Sequence, residues 1–210
     1  MRLITTCVLL LSSLFSYSQK CVVANTKENI FYLGVPNPID VAIEGYKCKD
    51  VVVTTDNGKV DPTDEPCSYQ ITLDKAGIAY VIVSEKKSNR PLGKIPFRVK
   101  HIPDPVAMVA SKQGGAIGKN IMKVQLGITA VLLGFDFDAR FVVTGFTIII
   151  TRKSKSLYTE ECTNARFTDN AKSEFNNLQD GDKIVFSNIT CKGPDQRERQ
   201  LQPIEFIIAE

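Results

Sequence analysis

The stretch Ser111–Asn120, SKQGGAIGKN, holds paired glycines, a third glycine and a lysine. These are the ingredients of a loop whose backbone N–H groups wrap a phosphate. Such a loop places four residues between its first glycine and the Gly-Lys pair, then Ser or Thr to reach magnesium. Gly114 and Gly118 enclose three residues, and Asn120 stands where the hydroxyl belongs. A helix N-terminus should follow to hold the anion. Here the chain continues IMKVQLGITAVLLGF, broken at Gly127 and Gly134. The stretch reads as a glycine turn at the entrance to a β-rich domain, where φ > 0 is needed. No nucleotide and no other cofactor is expected.

His101 is the only histidine, so any Ser-His-Asp or Cys-His site must use it. It follows a strand-like segment at a proline-rich joint, and no G-x-S-x-G motif occurs to supply a nucleophile. It reads as a residue packed between domains. Asp136 and Asp138 share one face of an alternating segment and could bind calcium or act as an acid pair. Calcium loops bring carbonyls and a glycine together, whereas a regular strand only alternates, so these carboxylates read as a solvated face. Asn188-Ile-Thr matches a glycosylation acceptor, a motif common by chance. No catalytic, cofactor-binding or metal-ligating residue is assigned, and the chain reads as a non-enzyme.

Six cysteines are present. Cys7 falls in the leader described below, which leaves Cys21, Cys48, Cys67, Cys162 and Cys191. None forms a C-x-x-C, which argues against zinc and thioredoxin-like chemistry. In an oxidising compartment disulfides are expected. Cys162 and Cys191 are the two in the second half and are expected to pair. In the first half Cys48–Cys67 is the preferred pair and Cys21–Cys48 the rival. One thiol is left over.

The start, MRLITTCVLLLSSLFSYSQK, has a basic Arg2, an apolar run from Leu3 to Phe15, and small residues at Ser16 and Ser18. It reads as a signal peptide over 1–18, cut before Gln19, and as too short to span a bilayer comfortably. No later stretch is long and apolar enough to span, so no transmembrane helix is expected after cleavage. Without Arg2 the chain carries 25 basic and 23 acidic residues. That balance gives no reason to expect nucleic acid as a partner. The basic runs EKKSNRPLGK and TRKSKS lie between strand-like segments and read as hairpin tips.

The elements that hold these residues are mostly strands. Between 19 and 102, Ile39, Val41 and Ile43 alternate with Asp40, Ala42 and Glu44, and Ile95, Phe97 and Val99 alternate with Pro96, Arg98 and Lys100. Asn57-Gly58 is a hairpin signal, and Lys75-Ala76-Gly77 is a turn. Six or seven short strands with turns every eight to twelve residues predict an immunoglobulin-like β-sandwich. Pro103 and Pro105 force extended geometry on their predecessors, which places a stiff boundary there. From 103 to 210 the pattern predicts a β-sheet domain with one short helix. Phe135, Phe137, Ala139 and Phe141 alternate as a strand would. GFTIIIT is a β-branched run suited to edge pairing or face docking. Thr168 or Asp169 caps a helix with Ala171, Phe175 and Leu178 on one face, and Gly181 ends it. GPDQRERQ reads as a hairpin tip, and PIEFIIAE as the closing strand.

NIFYLGVPNPIDVAIEG, GKIPFRVKHIPDPVA, GGAIGK, FDFDARFVVTGFTI, ARFTDNAKSEFNNLQDGDKIVFSNITCKGPD and IEFII, in that order, resemble the C-terminal region of GldM, also called PorM. GldM is a periplasmic component of the gliding motility and type IX secretion machinery of Bacteroidetes. The resemblance covers nearly all of the chain after the leader. FRVKHIPDPVA and FDFDARF are its most specific parts. It implies an exported, non-catalytic interaction module in the periplasm or cell envelope. Its partners would be envelope proteins, gliding or secretion components among them, with a homodimer as a further option. GldM-like proteins begin with a membrane helix and further periplasmic domains, whereas a signal peptide leads straight into the last two here, so motor coupling is not carried over. The cysteines are no motif of the family. An independent exported binding domain, adhesin-like or ligand-binding, is the alternative, and a secreted hydrolase using His101 is a third.

Overall fold

Ala79, Val81 and Val83 alternate with Tyr80, Ile82 and Ser84 along β6 (Gly77–Glu85), and the first set is buried. A period of two is what a strand with one covered face requires. In the computed structural model, which describes residues 29–209, β6 lies in a four-stranded sheet. Its order is β1 (Ile30–Tyr32), β7 (Pro91–Lys100), β6, β3 (Val51–Thr55). A three-stranded sheet, ordered β2 (Asn37–Asp40), β5 (Ser68–Thr72), β4 (Lys59–Pro62), accompanies it. Phe31, Val53, Val81 and Val99 of the first sheet meet Ile71 of the second, and Leu73 just beyond it, in one core. The arrangement is sandwich-like and the protein is mainly β.

Cys48 opens a 3-10 turn (Cys48–Asp50) that leads into β3, and Cys67 immediately precedes β5. The two are joined, with Cα atoms 5.1 Å apart, so the bond ties one sheet to the other. It closes a separation of 19 residues, worth about 3 kcal/mol in the chain-entropy model. The double substitution Cys48→Ala/Cys67→Ala is therefore expected to lower stability by about 3 kcal/mol in urea unfolding. A cost below about 1 kcal/mol would show that the bond does not constrain the unfolded chain.

A second core runs from Ala107 to Ile208. Its sheet is ordered β12 (Lys155–Cys162), β11 (Val142–Arg152), β13 (Lys183–Lys192), β15 (Ile204–Ala209), β9 (Gly115–Gly118), with β14 (Glu198–Gln200) also on β13. β8 (Val106–Met108) and β10 (Thr129–Val131) form a separate antiparallel pair. Helix α1 (Lys119–Lys123) is a single turn, and α2 (Asp169–Asn176) is the longer one. The Thr168 hydroxyl accepts from the Ala171 N–H at 3.0 Å and so caps α2. Ala171, Phe175 and Leu178 are buried against the sheet, as the helical spacing requires. Phe146, Phe167, Phe175, Phe186 and Phe206 form a continuous aromatic group, with ring centroids 5.1 to 6.3 Å apart.

Several expectations are corrected. The turn at Asn57-Gly58 does not close a hairpin, because β3 pairs with β6 and β4 with β5, so the chain crosses between sheets there. GFTIIIT forms most of β11, an interior strand whose edges are taken by β12 and β13, so it is not an edge for pairing. The Phe135–Phe141 alternation does not become a strand; β11 begins only at Val142. Helix α1 was not expected. The Cys162–Cys191 bond does not form, and both are buried free thiols. Cys162 pairs with Phe146 across one edge of β11, and Cys191 with Val143 across the other. Two strand spacings of about 4.8 Å separate them, beyond the roughly 7 Å between Cα atoms that a disulfide can bridge. The signal peptide and Cys21 lie outside the described residues.

Candidate functional site

Alternation along β14 exposes Glu198 and Gln200 and turns Arg199 inward. The Arg199 side chain is 1% exposed. Its Nε donates to Asp104 Oδ1 at 2.7 Å. One terminal nitrogen donates to Asp195 Oδ1 (2.9 Å) and to the Arg197 carbonyl (3.0 Å). The other donates to Asp195 Oδ2 (2.7 Å) and to the Ile102 carbonyl (2.9 Å). All five guanidinium donors are thus used, and the Phe141 ring lies 5.1 Å away. Ile102 and Asp104 belong to the segment that links the two cores, so Arg199 fastens that segment to the β13–β14 tip. Gly34 closes the joint from the first core. Its φ is +79°, and a Cβ there would stand 2.6 Å from the backbone of Pro194 and Asp195. The Tyr32 ring meets Phe135 at 4.8 Å and Phe137 at 5.3 Å.

His101 Nδ1 lies 3.3 Å from Asp195 Oδ2. It lies on the linking segment two residues before Pro103, and it is exposed rather than packed between the cores. Asp195 is spoken for by Arg199 through both oxygens. Burial pushes the Asp195 carboxyl up, and the Arg199 guanidinium more than reverses this, holding it below the usual carboxylate range. A second buried carboxylate, Asp182, accepts from Arg152 Nε and Nη2, each at 2.7 Å, and from the Gln179 N–H at 2.8 Å. The bonds from Arg152 hold it low as well. Both carboxyls therefore titrate lower in the folded chain than in the unfolded one. Their stabilisation is complete above the ordinary carboxylate value of about 3.9 and is lost as pH falls through their folded values. The urea midpoint is expected to fall steeply below about pH 4, and Asp182→Asn should flatten that fall. An unchanged slope in the variant would show that Asp182 is not part of the linkage.

The other singled-out residues do not converge. Asp136 and Asp138 are exposed on the segment between β10 and β11. Asn188 is exposed on β13 and donates to Thr147 Oγ1 at 3.3 Å. The glycine turn lies against the closing strand: Gly114 has φ +130°, and a Cβ there would stand 2.7 Å from the Glu205 carbonyl. β9 then pairs in parallel with β15. Close backbone approach is what Gly114 provides, and Gly115 supplies a left-handed turn at φ +91°. Burial pushes the Cys162 and Cys191 thiols up, which leaves them inert. In the sequence Arg199 and Asp195 fall within what reads only as a hairpin tip. The signal was there, since Arg199 shares its alternation phase with the buried Leu201.

An open groove of about 550 Å³ runs between β10 and residues 137–143 and is lined by Ile128, Ala130, Phe137, Phe141, Val143 and Ala165. A second hollow of about 480 Å³ shares Ile128, Thr129 and Ala165 with it and extends to Val124, Leu126 and Arg166. The lining is mainly apolar, with the charges of Asp138, Arg140 and Arg166.

The family model of the GldM C-terminal domain matches residues 103–209, which span the second core, Arg199 and the groove. The chain belongs to the GldM C-terminal domain family. It is related to the GldM component of gliding and type IX secretion through that domain. Among solved structures, the chain is similar to the Yersinia pseudotuberculosis adhesin InvE at 14% identity and a TM-score of 0.23, over 74% of this chain and 48% of the adhesin. The chain thus spans about half the adhesin's length, and a likeness at that score carries no argument. No curated protein matches the chain. Among the described residues no helix of this GldM-family chain is long and apolar enough to cross a membrane.

Proposed function

We propose that this GldM-family chain is an exported, non-catalytic protein–protein interaction module of the bacterial cell envelope, acting with gliding or type IX secretion components. The family match over residues 103–209 carries the reading. Two observations support it. The Cys48–Cys67 bond suits an oxidising compartment such as the periplasm. The histidine–carboxylate contact at His101 is part of the joint, since Arg199 claims both Asp195 oxygens. The domains read as a sandwich over 19–102 and a GldM-like domain over 103–210, with the Arg199 cluster between them.

The test is chemical cross-linking in intact envelopes, capture of the chain, and mass spectrometry of what comes with it. Recovery of a gliding or secretion component is expected. A chain that enriches no envelope protein over a mock-tagged control overturns the reading. A cross-linked species of twice the mass would report self-association.

A further inference from the structure

We infer that the groove beside β10 receives an extended, acidic polypeptide segment of a partner protein, which adds as a strand to the free edge of β10. This rests on the interaction-module reading above and specifies its surface.

Backbone geometry sets the docking edge. Among the described residues β10 pairs with β8 on one side only. On the other side the Ile128 N–H donates to the Ala165 carbonyl at 2.9 Å, in the short bridge between Gly127 and Arg166. Residues two apart in a strand direct their N–H and C=O groups to the same side. Ala130 therefore aims both groups away from β8, beyond the end of that bridge and into the groove. Main-chain groups offered this way are what a partner strand pairs with.

Side chains set the character of the guest. Val124 and Leu126 are each 71% exposed and Val142 63%, and they sit along the groove and its extension. A contiguous apolar patch with an open strand edge marks an interaction site more than a random surface. Arg140 and Arg166 are both exposed, and neither is in an ion pair with any described residue. Among the described residues Asp138 is the one carboxylate of the lining. Apolar walls with a surplus of guanidinium call for a segment that alternates apolar residues with carboxylates, since Arg pairs well with carboxylates. The surface is also continuous with the joint. Phe137 packs edge-on against Tyr32 and the Phe141 ring lies 5.1 Å from the Arg199 guanidinium, so one wall of the groove is held by the contact between the cores.

The experiment uses the mature chain and fluorescein-labelled peptides of valine and threonine in alternation, carrying two glutamates or, in a matched set, two lysines. Binding is read by fluorescence anisotropy. The glutamate peptide is expected to bind about tenfold more tightly than the lysine peptide. In the variant Arg140→Glu/Arg166→Glu that preference should reverse, and the exposure of both arginines leaves its melting temperature within a few degrees. Val142→Glu should weaken the glutamate peptide about tenfold. Equal binding of both peptides, binding of neither, or an unreversed preference overturns the proposal. A dimer of the chain that dissociates in Val142→Glu seats a second copy in the groove and overturns it too. If Arg140→Glu/Arg166→Glu still captures the same envelope partners as the wild type, the groove proposal falls while the interaction-module reading stands. A wild-type chain that captures none sinks the reading and the proposal together.

Discussion

Arg199→Leu is expected to lower stability by about 3–5 kcal/mol, the cost of leaving a buried carboxylate without its partner. Asp195 has a fully buried side chain, and Arg199 supplies two of its bonds. His101, 44% exposed and at 3.3 Å, is no substitute for a bidentate guanidinium. The loss is not a measure of what the pair adds over an apolar joint, because buried ion pairs often break even against hydrophobic replacements. The double variant Arg199→Leu/Asp195→Leu should accordingly recover much of the loss. Arg199→Lys should fall between, since an ammonium keeps the charge but cannot reach five acceptors in one plane. The joint should suffer more than either core. Calorimetry is expected to resolve one transition in the wild type and two in Arg199→Leu. A loss under about 1 kcal/mol, or a single transition in both, would show that the cluster does not fasten the linking segment.

Phe186→Ala should be as damaging, again about 3–5 kcal/mol. The ring is fully buried on β13, stacked on Phe167 at 5.4 Å and edge-on to Phe146 and Phe206 at 6.1 and 6.3 Å. Removing it opens a void that strands β11 and β15 on either side cannot collapse into without breaking their ladders. The cavity term therefore adds to the lost transfer energy. Phe186→Leu should cost much less, because most of the volume is kept. Urea unfolding of both variants checks the pair, and similar losses for Leu and Ala would mean that the site tolerates a cavity.

Local pattern carried a good part of this architecture. The Thr168 cap and the spacing of Ala171, Phe175 and Leu178 gave α2, because helix caps and helical faces are properties of neighbouring residues. Ile204, Phe206 and Ile208 alternate within the closing strand, and all three are buried. What failed was long-range. A turn at Asn57-Gly58 reverses the chain but does not say which sheet the next strand joins, and β4 went to the other one. Cys162 and Cys191 were paired by their position in the chain, yet β11 separates them. Phe135 and Phe137 alternate as a strand does, but they pack on Tyr32 rather than on a neighbouring ladder. Arg199 looked like a solvated tip because its acceptors, Ile102, Asp104 and Asp195, are assembled from two places in the chain. The groove was illegible for the same reason, being built from β10, residues 137–143 and Ala165.

On the proposed reading, this GldM-family chain works through the surface it presents in the cell envelope. Photo-cross-linking in intact cells tests it most directly, with benzoylphenylalanine placed at Val142 on the groove and, in separate strains, at Ile78, Lys59 and Ile207 on other faces. A light-dependent adduct with an envelope protein is expected from Val142, lost when Arg140→Glu/Arg166→Glu is introduced alongside. The contradicting result is a chain that reaches the envelope and yields no adduct from any of the four positions.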